Sequence, residues 1–135
     1  FPSWRAEQLI AEKRIVDYAS LDDLILKGEA DIDPARVSFI KMDIEGSEVA
    51  ALRGMVKFFA RSRPVMHLEV NFDTLAAAGS NAQEVEDILV SLGYQITIPT
   101  GWGKLTPLPP FKDMQRTADV DLINVVCLPA GLRVE

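Results

Sequence analysis

The clearest alternation of apolar and polar positions lies in the middle of the chain. Val37 to Met42 (VSFIKM) is a short, mostly apolar run that predicts a strand buried in a sheet. It stops at Asp43. After the turn Ile44-Glu45-Gly46, Ser47 stands where a helix N-cap would. Val49, Leu52, Val56 and Phe59 then recur at helical spacing, so the helix has one apolar face, interrupted or bent at Gly54. Arg63-Pro64 ends it, and Val65 to Phe72 (VMHLEVNF) predicts the next strand. Asn81 opens a further helix, with Glu84 at the capping-box position and Val85, Ile88, Leu89 and Leu92 on its buried face; Gly93 closes it. Tyr94 to Ile98 predicts a third strand, Pro99 to Asp113 a loop rich in Pro and Gly, and Val120 to Leu128 (VDLINVVCL) a last strand. Upstream, Arg14 to Tyr18 predicts a short strand, Ser20 caps a helix that Gly28 stops, and Asp31 to Arg36 reads as a loop around Pro34.

This order of strands and helices predicts an α/β fold with right-handed parallel crossovers. The last strand follows a loop without a helix, so it is expected to run antiparallel to its predecessor. The expectation is therefore a mostly parallel sheet with a final antiparallel strand. There is no internal repeat and no low-complexity segment, and 135 residues fit a single domain, residues 1–135.

Charge narrows the partners. The formal net charge is −6 with no basic run, which argues against nucleic acid or an anionic membrane as the main partner. No apolar stretch approaches the roughly 20 residues that span a bilayer. The N-terminal FPSWRAEQLIAEK has no signal-peptide core. Cys127 is the single cysteine, so no internal disulfide can form, and a cytoplasmic setting is expected. The chain begins at Phe1, which leads to the expectation of a fragment, a processed product or an incompletely recorded gene.

The run Phe39-Ile-Lys-Met-Asp-Ile-Glu-Gly-Ser-Glu-Val-Ala-Ala-Leu-Arg-Gly resembles the most distinctive motif of the FkbM-type methyltransferases. In that motif an apolar strand leads into Lys-x-Asp-x-Glu-Gly-x-Glu and then a helix ending in Leu-x-Gly. Lys41, Asp43, Glu45, Gly46, Glu48, Leu52 and Gly54 all match. Ser20-Leu-Asp-Asp-Leu, Arg63-Pro64 with the strand holding Glu69, Leu92-Gly93-Tyr94 and Asn124-Val-Val-Cys-Leu-Pro are similar to flanking segments of the family, so the resemblance spans roughly residues 15–129. It implies a Rossmann-like class I fold, S-adenosyl-L-methionine as cofactor, and O-methylation of a sugar, glycolipid or secondary-metabolite hydroxyl. The family's glycine-rich cofactor turn and the acidic residue that binds the ribose have no counterpart here. Gly101-Trp-Gly103 lies in a Pro-rich loop without a strand before it or a helix after it. The expectation is thus the C-terminal half of the domain, inactive alone, its N-terminal cofactor-binding half absent.

Methyl transfer from a sulfonium needs the nucleophile held in line, its proton removed and water kept out. In open α/β sheets such sites lie beyond the carboxyl ends of the strands, where Asp43 sits. Asp43 and Glu45 are accordingly the candidate catalytic residues. Asp43 could bind acceptor, help as base or contact a divalent metal, which is left open; its alternative is a carboxylate taking backbone N–H bonds from the turn. Asp43 and Gly46 are the candidate cofactor contacts, Gly46 because it allows a positive φ or a close ligand approach. Lys41 reads as structural, reaching past the strand or pairing with a carboxylate. Glu45 and Glu48 could equally offset the positive end of the helix dipole.

Val65, His67, Glu69 and Asn71 share a polar strand face, either facing the cleft beside Asp43 or exposed. Glu69 and Asn71, with Trp102 from the Pro-rich loop, are the candidate acceptor contacts. His67, the only histidine, lies mid-strand and reads as structural. Trp102 and Phe111 could instead simply pack, and Cys127 reads as core. The partner expected is a small-molecule or glycan acceptor. The alternative class is a non-catalytic α/β interaction fragment or degenerate domain, whose open Val37–Met42 edge would invite self-association.

Overall fold

The computed structural model describes residues 14–101, 103–111 and 121–132. Helix α1 is Leu21–Leu26, followed by a 3-10 turn at Pro34–Arg36 and strand β1, Phe39–Met42. Helices α2 (Glu48–Arg53) and α3 (Val56–Arg61) precede β2, Val65–Asn71. Then come α4 (Phe72–Ala77), α5 (Ala82–Ser91), β3 (Tyr94–Thr100), β4 (Lys104–Pro107) and β5 (Leu122–Pro129). The strands form one five-stranded sheet in the order β1-β2-β5-β3-β4.

The α/β class holds, and β5 does run antiparallel to β3. The mostly parallel sheet does not hold. Among the described residues only the β1–β2 ladder is parallel; β2–β5, β3–β5 and β3–β4 are antiparallel. The cause is insertion. β5 enters between β2 and β3, which point the same way, and so converts what would be a parallel neighbour pair into two antiparallel ones. The stretch read as a loop after Ile98 adds a further antiparallel strand, because Gly101 and Gly103, at φ 60° and 72°, let the chain fold back into a hairpin.

The core lies on one face of the sheet. Met66, Leu68 and Val70 of β2 are fully buried, with Val125 and Cys127 of β5 and Ile96 of β3 on the same side. Against them pack Val49 and Leu52 of α2, Phe58 and Phe59 of α3, Leu75 of α4 and Val85 and Leu89 of α5. β1 was expected to be buried. It is only half so, with Met42 inside but Phe39 57% exposed, because its residues alternate between the packed face and the open one. Val56 is likewise exposed rather than part of the apolar helix face. The helical run is broken at Gly54-Met55, between α2 and α3. Arg14 to Tyr18 is not a strand, and its residues are exposed.

Local chemistry explains most of the helix ends. Ser20 Oγ accepts from the Asp23 N–H, and Asn81 Oδ1 from the Glu84 N–H, as their capping positions predict. Helix α3 has no side-chain cap of its own. Its free N–H groups at Lys57 and Phe58 are taken by the two carboxylate oxygens of Asp22, both at 2.8 Å, from more than thirty residues upstream. A Cβ on Gly54 would lie 2.9 Å from Ser20 Cβ, so glycine lets the start of α1 close onto the α2–α3 joint. The strand starts are tied as well. Arg63 donates to the carbonyls of Leu92 and Gly93 and lies over the Tyr94 ring, whose hydroxyl donates to Pro64 O at 2.9 Å. No helix among the described residues is long and apolar enough to cross a membrane.

Two measurements follow from this packing. Asp22→Ala frees two helix N–H donors and should cost about 1–2 kcal/mol in urea unfolding, at the upper range of cap deletions. Burial pushes the Cys127 thiol up to about 12. The folded state therefore holds a proton that the unfolded chain releases in the ordinary thiol range. That contribution to stability is complete below the ordinary thiol value and is lost as pH rises through about 12. Native protein at pH 8 should resist a thiol reagent that labels it fully once unfolded.

Candidate functional site

Parallel pairing places Met42 of β1 beside Leu68 of β2. One residue further, Asp43 falls beside Glu69 at the carboxyl ends of both strands. Strand alternation points them away from the core, together with Lys41 and His67. One oxygen each from Asp43, Glu45 and Glu69 lies within 4.8 Å of the others. Asp43 and Glu45 are exposed and Glu69 is half-buried. Lys41 Nζ donates to Asp43 Oδ2 at 3.0 Å, as same-face neighbours two apart on a strand can. An exposed pair of this kind contributes only about 0.2–1 kcal/mol. Its consequence is local: a cation is held against one of the three converging carboxylates.

The turn that delivers Glu45 is backbone-constrained. Glu45 has φ 52°, the left-handed region that non-glycine residues seldom enter, and Gly46 follows at φ 98°. A Cβ on Gly46 would lie 2.3 Å from the Thr74 carbonyl oxygen. The close approach predicted for Gly46 thus exists, but it is made by helix α4 of the chain itself and not by a ligand. Helix α4 is in turn set by Asn71, whose Oδ1 accepts from the N–H groups of Asp73 and Thr74 at 3.0 and 3.2 Å. Asn71, expected to contact an acceptor, caps this helix, which the apolar pattern of the sequence did not reveal. Its signal was present as an Asn followed by Asp and Thr at a strand end.

Glu48 does stand in the first turn of a helix, where a carboxylate offsets the helix dipole. It is 1% exposed. Its Oε1 accepts from the Ile44 N–H at 3.3 Å, and its Oε2 has no hydrogen-bond partner among the described residues. His67 lies mid-strand, half-buried, between Lys41 and Val126. Phe111 is packed rather than presented: it is buried, meets Phe72 edge-on, and its N–H donates to Glu86 Oε2 at 2.8 Å. Trp102 lies outside the described residues.

Two open cavities border the turn. One of about 500 Å³ is mostly apolar and is lined by Leu21, Leu24, Ile44, Ala51 and Met55 among others. The other, about 370 Å³, includes Gly46, Ser47, Arg53 and Glu84. Ile44 lines the first and Gly46 the second, while the exposed Asp43 and Glu45 lie on the sheet rim. Chemically, the acids of this rim can accept hydrogen bonds from hydroxyl groups, take up a proton, or supply oxygen ligands to a hard divalent cation.

A family model described as the methyltransferase FkbM domain matches residues 2–96. The span contains the acidic turn and β2 and ends within β3; β5 lies beyond it. No curated protein and no solved structure matches the chain.

Replacing Gly46 by alanine forces both a positive φ and a clash with backbone. It should destabilise by roughly 2–4 kcal/mol in chemical unfolding. Gly79→Ala, also at positive φ but with open space around it, should cost only the backbone strain, about 1–2 kcal/mol.

Proposed function

The chain belongs to the FkbM methyltransferase family, and from that premise we propose that it is part of an S-adenosylmethionine-dependent O-methyltransferase acting on a hydroxyl of a sugar, glycolipid or secondary metabolite. The convergence of Asp43, Glu45 and Glu69 at adjacent parallel strand ends carries this reading. The reversed strand β5 between β2 and β3 supports assigning the sheet to the C-terminal half of a Rossmann-like class I fold. A buried free thiol at Cys127 suits a reducing, cytoplasmic setting.

The described residues fit the acceptor side of such a site better than the donor side. They include no strand followed by a glycine-rich turn and helix, and Gly46 is occupied by Thr74. The donor, when bound, supplies an electrophilic methyl on a sulfonium. The chain's own residues handle the hydroxyl. Asp43 and Glu45 accept its hydrogen bond and take its proton, since both are exposed and their oxygens converge. Glu69, on the next strand, accepts from a neighbouring hydroxyl and so fixes the acceptor's orientation. Lys41 keeps the Asp43 carboxylate turned along the strand face. The oxygens of Asp43, Glu45 and Glu69 would also suit a hard divalent cation, which would supply Lewis-acid activation of a hydroxyl.

The second reading is a non-catalytic interaction module. The position of β1 at the edge of the sheet among the described residues and the exposed Phe39 favour it, because a strand edge can recruit another chain.

Transfer of labelled methyl from S-adenosylmethionine to a panel of monosaccharides, glycolipids and hydroxylated polyketides separates the two. Asp43→Asn should lower kcat by about 10²–10⁴-fold, the usual contribution of a positioned base, with little change in unfolding temperature. A native protein that neither binds the donor nor methylates any acceptor, yet self-associates, would favour the interaction module.

A further inference from the structure

We infer that Glu48 is a positioning residue for the acidic turn: its buried carboxylate grips the backbone of Ile44 and thereby sets the direction of Glu45 relative to Asp43. The inference rests on the reading of that turn as the acceptor's site. A carboxylate in the first turn of a helix can offset the helix dipole from the surface, without being buried. Glu48 is instead withdrawn from solvent, to 1% exposure, with one oxygen left unpartnered among the described residues. Leaving a buried acceptor unsatisfied costs about 1–3 kcal/mol. An apolar residue of like volume would avoid that cost, so stability alone does not account for a glutamate here.

Nor is Glu48 a helix cap. Ser47 occupies the cap position and makes no side-chain cap bond, while the bond from Glu48 runs backward, out of the helix, to Ile44. Ile44 is the residue between the two acids. Its peptide plane joins Asp43 to Ile44, and the next joins Ile44 to Glu45, so rotation at Ile44 swings Glu45 relative to Asp43, which the β1 ladder holds. The far side of the turn is already fixed, because Gly46 is pressed against Thr74 and Ser47 N–H donates to Ile44 O at 3.3 Å. On the near side, the β1 ladder and Lys41 hold Asp43, and the hydrogen bond from Ile44 N–H to Glu48 holds the residue between the two acids. Together these contacts leave Glu45 at a positive φ that a free turn would relax.

The test compares the native protein with Glu48→Met, which keeps the volume but has no acceptor oxygen, and Glu48→Gln, which keeps one. Three quantities are read: unfolding temperature, hydrogen exchange at the Ile44 amide, and kcat with KM in labelled methyl transfer. Glu48→Met should unfold at or above the native temperature, and its Ile44 amide should exchange about tenfold faster or more. Its kcat should fall about tenfold or more, with KM for S-adenosylmethionine within about twofold, as expected when a reacting group is misdirected rather than a ligand lost. Glu48→Gln should restore both exchange protection and kcat. Native-like exchange or kcat in Glu48→Met, or a Glu48→Gln variant as impaired as Glu48→Met, would overturn the assignment. Should Glu48→Met fail to fold, Glu48→Gln decides: native-like Ile44 protection and kcat support the role, and loss of either rejects it. A native protein without methyl transfer defeats the proposed reaction instead, and Ile44 exchange then judges Glu48 by itself.

Discussion

The acid-rich rim of the sheet depends on how closely Gly46 lies against the Thr74 carbonyl. Asn71 caps α4, α4 holds Thr74, and Thr74 meets a turn that only glycine can complete at that distance. The turn carries Asp43 and Glu45 on its near side, while parallel pairing of β1 with β2 brings Glu69 beside them. Each link is short and local, yet the chain of links runs from one strand end to the next. Shifting the β1–β2 register by one residue would turn Glu69 to the opposite face and dissolve the cluster.

Electrostatics at this rim pulls against stability. Three carboxylate oxygens are gathered within 4.8 Å, with Lys41 as a neighbouring cation, in a chain that is already net negative. A further carboxylate, Glu48, is buried behind them with one oxygen unpartnered among the described residues. Elsewhere the acids are used conservatively. Asp22 satisfies two helix N–H groups, and Glu84 is paired with Arg53 at 2.9 Å. The cost is concentrated where chemistry at the strand ends would need charge held in fixed directions.

The sheet explains why that chemistry is reachable. Its helices, among the described residues, contribute to a core on one face, and the other face carries Lys41, His67, Glu69 and Asn124 at partial or full exposure. The polar stripe of β2 is therefore compatible with its central position. Inserting β5 between β2 and β3 keeps those two strands running in one direction without making them neighbours. The Arg63–Tyr94 contact, with Tyr94 bound to Pro64, locks the two strand starts together across β5.

Much of this was readable from local patterns. The strand ending at Asp43, the helix starts at Ser20 and Asn81, the break at Gly54 and the core position of Cys127 all follow from periodicity and capping within a few residues. The motif around Lys41 to Gly54 pointed to the family, and the shared polar face of β2 pointed Glu69 toward Asp43. Tertiary structure alone decided that Asn71 serves a cap whose helix braces Gly46, that Asp22 caps a helix more than thirty residues away, and that Glu48 is buried. It also decided the strand order, which placed an antiparallel strand where a crossover pattern predicted a parallel one. The physical reason is range. Side-chain spacing along a helix or strand records which face is apolar, but a carboxylate's partner, or a strand's neighbour, is chosen by segments distant in sequence that meet only after the core has closed.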